Sequence, residues 1–96
     1  MALFVFIGHD GPDGTAKRDQ YRAAHVAALD KLDAEGRIAF AGPIRDDANT
    51  TSVGAVIVLD AETLDAAKKL MAHDPFVVGG VFASYSVHPF RQAYPK

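Results

Sequence analysis

Four side chains suited to proton transfer and anion binding fall into one pattern: Arg18, Arg22 and His25 in a single helical stretch, and Asp74 directly before Pro75. His25 interrupts an apolar stripe made by Tyr21, Ala28, Leu29 and Leu32, where at about 100° per residue a leucine is expected. An imidazole titrates near neutral pH, so it can take up and return a proton under ordinary conditions. A carboxylate against one ring nitrogen fixes the tautomer and stabilises the charged form, the part open to Asp74. Arg22 and Arg18 precede the histidine by three and seven residues, so all three share a face on which guanidinium groups could hold an anionic substrate.

Each of these residues also has a purely structural reading. A histidine on an apolar face is often satisfied by a backbone carbonyl or water. Asp74 can simply close the turn before Pro75, and the arginines can lay their stems over apolar surface with their heads in water. His9 and Asp10 follow the first strand and face the start of the first helix, so either could line the same pocket. Asp10 and Ser52 join Arg18 and Arg22 as expected substrate contacts. His73, at a helix end, and His88, before Pro89, read as structural.

Other chemistries lack their marks. His9, Asp10 and Asp13 match no ligand spacing, so no metal is expected. The glycine-containing run from Gly8 to Thr15 lacks the Gly-Lys-Ser/Thr ending of a phosphate loop. There is no Gly-x-Ser-x-Gly elbow, no dinucleotide fingerprint and no cysteine nucleophile, and no cofactor is implied.

The elements that must position these groups follow from the hydropathy pattern. Ala2 to Gly8 is a strand, and His9 to Gly14 is a run of turn formers. A long helix then begins with Thr15 as its expected N-cap and stops at Gly36. Ile38 to Ala41 is a strand closed by Gly42-Pro43, Arg45 to Ser52 a polar connection, and Val53 to Leu59 a third strand. Asp60 is the expected cap of a second helix through Leu64, Ala67, Leu70 and Met71, which Pro75 ends. Gly79-Gly80 lead into a last strand, Val81 to Val87.

This order, βαββαβ, predicts an α+β ferredoxin-like fold: a four-stranded antiparallel sheet with both helices on one face. The crossovers run the helices antiparallel, bringing the region of His25 toward Asp74 at the end of the second helix. Leu3 to Ile7 and Ala55 to Leu59 are apolar at nearly every position, as in strands buried on both sides. The helix-free face therefore needs a cover, and two copies are expected to pack sheet against sheet as a homodimer.

Composition sets the outer limits. With 96 residues, 49% of them apolar and 23% charged, the chain is expected to form one domain over residues 1–96 with a modest core. Oligomerisation is the natural extra stabiliser, because there are no cysteines for disulfides. A net charge of −2 and a pI near 6.0 give no footprint for nucleic acid. The apolar run Leu3 to Ile7 is too short for a signal or membrane segment, so a cytoplasmic location is expected.

In order along the chain, Lys17-Arg18, Arg22-Ala23-Ala24-His25 leading to Leu29, Glu35-Gly36-Arg37, Ala41-Gly42-Pro43, Asp74-Pro75-Phe76 with Gly80-Val81, and Val87-His88-Pro89-Phe90 resemble the YciI-like family. Ala23 stands where that family usually has proline. The resemblance runs nearly end to end and implies a dimeric α/β barrel with a histidine–aspartate site, here His25 and Asp74. It also implies lyase- or isomerase-type proton transfer, including dehalogenation of ring-derived compounds, similar to muconolactone isomerases of related architecture. Heme-degrading and quinol-oxidising proteins share the barrel by analogy of fold alone.

Two functional readings stand at this level. One is a cofactor-independent enzyme acting on a small anionic substrate, aromatic-derived compounds included, with His25 as general acid/base, Asp74 as its orienter and Arg22 as anion clamp. The other is a non-catalytic ligand-binding or accessory dimeric module in which the polar pair only fixes helix register.

Overall fold

The computed structural model describes residues 2–96. Its elements are β1 (Ala2–Asp10), α1 (Gly14–Ala34), β2 (Ile38–Arg45), β3 (Ser52–Ala61), α2 (Leu64–Ala72), a short α3 (Pro75–Val78) and β4 (Phe82–Phe90). The strands form one antiparallel sheet in the order β2-β3-β1-β4, the ferredoxin-like arrangement. The most apolar strands, β1 and β3, take the two central places, where both edges are paired.

Alternation along β1 sorts its side chains between the two faces. Phe4 and Phe6 point into a core with Ala55, Ile57 and Leu59 of β3, Val87 of β4, Leu32 of α1, and Ala67 and Met71 of α2. Burying each large apolar side chain contributes roughly 1.5–3 kcal/mol, so this layer holds the helices on the sheet. Leu3, Val5 and Ile7 point the other way and are only half-buried. On that helix-free face, Phe40 of β2 and Phe90 of β4 meet edge to face, with ring centroids 6.5 Å apart. Phe40 pairs with Val58 and Phe90 with Leu3, which places both rings over the centre of the sheet.

Several boundaries differ from the sequence expectation, each for a local reason. β1 continues through His9 and Asp10 because His9 pairs on both sides, with Gly54 and with Ser84. α1 starts at Gly14, and its N-cap position is Asp13 rather than Thr15. β2 runs through Gly42 and Pro43 to Arg45. It is an edge strand, where a proline removes no needed donor, so the dipeptide does not close it. Arg45 and Ser52 are consequently a cross-strand pair rather than the ends of a loop.

At the second crossover Asp60 lies inside β3, and the cap of α2 is Thr63, whose hydroxyl accepts the Ala66 N–H at 3.1 Å. Pro75 does more than end α2, because it occupies the first turn of α3, where its fixed φ suits a helix and its missing N–H is not needed. The expected stop of α1 holds: Gly36 adopts φ 73° and its N–H bonds the Asp33 carbonyl. Among the described residues, no helix is long and apolar enough to cross a membrane.

Candidate active site

The break between α2 and α3 creates the site. Asp74 caps α3, with Oδ2 accepting the Phe76 N–H at 3.0 Å, and this extended residue directs its carboxylate at α1. There it meets His25, whose Nδ1 is 2.9 Å from both Oδ1 and Oδ2. Asp74 is 5% exposed, so the carboxylate is held in a dry setting by two donors. Accepting from the ring assigns the proton to Nδ1 and leaves the Nε2 lone pair free in the neutral imidazole. Among the described residues, Nε2 has no hydrogen-bond partner.

The ring is fixed from its face as well as from its edge. Phe76 lies parallel to His25 with centroids 3.8 Å apart and planes 5° apart. Phe76 in turn packs edge to face on Phe82, and the Arg18 guanidinium carbon lies 5.3 Å from the Phe76 centroid and 5.8 Å from that of Phe82. Sequence reasoning assigned no role to Phe76. Its signal was a large apolar residue at the second position of a helix opened by Asp-Pro.

Arg18 is buried and closed on Asp10. Its Nε donates to Oδ2 at 2.8 Å and one terminal nitrogen to Oδ1 at 2.9 Å, and that nitrogen also donates to the Gly54 carbonyl at 2.9 Å. A Cβ at residue 14 would strike the Asp10 carboxylate, so glycine at the start of α1 is what lets the strand end approach the helix. Asp10 does not line the cleft described below. Both its oxygens face Arg18, and it therefore positions that arginine rather than reaching a ligand.

The cleft beside His25 has a volume of about 400 Å³ and lies between α1 and the β2–β3 half of the sheet. Its polar lining is Arg18, Arg22, His25, Arg45 and Ser52, and the apolar remainder includes Leu29, Ile57 and Phe76. Of the residues expected at the site, His25, Arg18, Arg22 and Ser52 thus share one space, and Asp74 stands behind His25. Arg22 is exposed and donates to Asp19 at 2.7 Å. Arg45 was missed, because reading Gly42-Pro43 as a strand end placed it in a loop.

The remaining histidines lie elsewhere. His73 Nδ1 is 2.7 Å from the Lys69 carbonyl at the end of α2, and His88 Nε2 is 2.9 Å from Ser86 Oγ. His9 is exposed on β1. Among the described residues, no group of three or more histidines and carboxylates is placed to hold a metal.

Known proteins give this geometry its context. The YCII-related domain model matches residues 2–91. Protein YciI of Escherichia coli O6:H1 is 34% identical over 97 aligned residues, covering 96% of this chain and 99% of that protein. An uncharacterized protein of Haemophilus influenzae is 36% identical over 96 residues, covering 95% and 98%. Among solved structures, 5-chloro-2-hydroxyhydroquinone dehydrochlorinase (TftG) of Burkholderia phenoliruptrix AC1100, in complex with 2,5-dihydroxybenzoquinone, superposes with a TM-score of 0.83 at 29% identity over 93% of each chain. End-to-end coverage at this identity leaves one assignment: the chain belongs to the YCII-related, or YciI-like, family.

Proposed function

We propose that this protein is a cofactor-independent enzyme that moves a proton on a small, ring-derived anionic substrate, with His25 as general acid/base and Asp74 as its orienter. The observation that carries the reading is the placement of His25 Nδ1 against both Asp74 oxygens, which leaves Nε2 as the nitrogen for a ligand in the adjoining cleft. Likeness to a dehydrochlorinase supports an elimination or proton-shift reaction.

In such a step Nε2 takes a proton from a substrate C–H or O–H, and the freed electron pair becomes a new π bond. A halide then leaves with its own bonding pair, or the imidazolium returns the proton to another ring position. Both outcomes balance without an oxidant or reductant. Asp74 holds the imidazolium that forms midway, and Arg22, at the cleft mouth, attracts the anionic group.

The expected partner is a second copy of the chain. Leu3, Val5, Ile7, Ile44 and Val56 are half-buried on the helix-free face, and Phe40 there is 48% exposed. An apolar face of this kind calls for a cover, and its two-fold copy is self-complementary.

The test is turnover. Incubation with 5-chloro-2-hydroxyhydroquinone and related halogenated polyhydroxybenzenes, followed by chloride release and ring absorbance, should show activity that His25→Ala and Asp74→Asn reduce by about 100-fold or more. Full turnover by both variants on a substrate of the wild type would overturn the mechanism. His25→Leu separates this reading from a register role. A gain in stability with loss of turnover marks a residue held for chemistry, whereas weakened folding with no turnover in any variant marks a structural pair.

A further inference from the structure

We propose that Arg45, with Ser52 beside it, is the anion-holding wall of the cleft, which therefore takes a flat ring bearing a carboxylate or ring oxyanion. This rests on the reading of the cleft as the substrate site and names the class of molecule it selects.

Three arginines line the cleft, and they are not equivalent. Arg18 is closed on Asp10, and Arg22 reaches out to Asp19. Arg45 alone of the three has no carboxylate partner among the described residues. Its guanidinium is nevertheless held in place: Nε donates to Asn49 Oδ1 at 3.2 Å, and the two terminal nitrogens to Ser52 Oγ at 3.0 Å and the Asn49 carbonyl at 3.3 Å. A guanidinium has five N–H donors, so part of the fork remains for a ligand.

The turn between β2 and β3 is built to leave it so. Asn49 sits at φ 57°, a left-handed conformation that asparagine tolerates, and presents both its side chain and its carbonyl to Arg45. Asp46, the nearest carboxylate in sequence, is turned into the loop. Its Oδ1 accepts the Thr50 N–H at 2.8 Å and the Thr51 N–H at 3.3 Å, and Oδ2 the Thr50 hydroxyl at 3.0 Å. The result is a pre-positioned cation with no carboxylate in ion-pair contact among the described residues, on the sheet side of a cleft whose helix side carries His25. The surrounding wall of Leu29, Ala55, Ile57 and Phe76 suits a ring more than a chain of hydroxyls.

The test is calorimetric or NMR titration of the whole chain with benzoate, salicylate and phthalate, and with benzamide as the uncharged control. The wild type should bind at least one ring acid about tenfold more tightly than benzamide, and Arg45→Gln should erase that preference. Arg45→Lys should keep part of it, because it retains the charge but not the fork. No preference for the acids in the wild type, or an unchanged preference in a folded Arg45→Gln, overturns the inference. If His25→Ala keeps turnover while Arg45→Gln loses acid binding, the proton-transfer reading fails and the anion wall stands; the reverse pair of results sinks only the anion wall.

Discussion

Phe76 and His25 lie face to face at 3.8 Å, and the backbone N–H of Phe76 is also donated to Asp74, the carboxylate that grips His25 by its edge. The three residues Asp74-Pro75-Phe76 therefore fix the imidazole in two perpendicular directions. Pro75 sets the bend between them, since the residue before a proline is pushed to extended backbone and the proline itself starts the next helix.

Asp74 thus has two duties that a single substitution can separate. In Asp74→Asn the amide oxygen still accepts the Phe76 N–H, so the unfolding free energy should change by about 1 kcal/mol or less. Turnover should fall by about 100-fold or more, because the charge that stabilises the imidazolium is gone. Asp74→Ala also removes the cap and should cost a further 0.5–2 kcal/mol, roughly. Urea unfolding and kcat measured on the same preparations check both. Equal kcat in wild type and Asp74→Asn would contradict the orienting role.

The Arg18–Asp10 pair is expected to show strong coupling. Both side chains are nearly buried, at 9% and 8% exposure, and share two hydrogen bonds. Removing one partner strands the other charge, so Asp10→Leu or Arg18→Met alone should cost about 3–5 kcal/mol. The double variant should be less destabilised than the sum of the two, an interaction read directly from a double-mutant cycle. Simple additivity would show that the pair contributes nothing as a pair.

The element order and the approach of His25 toward Asp74 were legible in the sequence, because both follow from hydropathy period and crossover geometry; the contact itself was not. Nor was the Arg18–Asp10 pair. It depends on β1 running two residues beyond the expected strand Ala2 to Gly8, through His9 and Asp10, where only pairing with β3 and β4 keeps polar residues in a strand. Arg45 was hidden by Pro43 for a similar reason: a proline reads as a break until the strand is known to be at the sheet edge. In both cases tertiary pairing outweighed the local signal.

The helix-free face makes a prediction about assembly. Val5 sits mid-sheet between Val58 and His88 and is half-buried in the single chain. Sedimentation of the wild type at micromolar concentration should give twice the chain mass of 10.2 kDa. Val5→Lys should give the single-chain mass with the circular dichroism of the fold intact, because an ammonium group beside His88 cannot be buried against a second apolar sheet without a carboxylate partner. A wild-type monomer under these conditions would rule out the sheet-to-sheet dimer.

Asp46 supplies the pH dependence. The Thr50 backbone N–H is the main cause of its lowered pKa; desolvation, the next largest effect, opposes it, and the Thr50 hydroxyl, the Thr51 N–H and the charge of Arg45 add to the lowering. Its folded-state value therefore lies below the ordinary 3.8. A depressed carboxylate contributes stability that is complete above its unfolded value and is lost as pH falls through the folded one. The Thr50 amide resonance should accordingly titrate with a midpoint below 3.8, and Asp46→Asn should abolish that titration. Because the same turn carries Asn49 against Arg45, protonating Asp46 should also loosen the Arg45 side chain, visible as faster exchange of its guanidinium protons relative to those of Arg18. A midpoint at or above the ordinary value would show that the Thr50 and Thr51 hydrogen bonds do not hold the turn in solution.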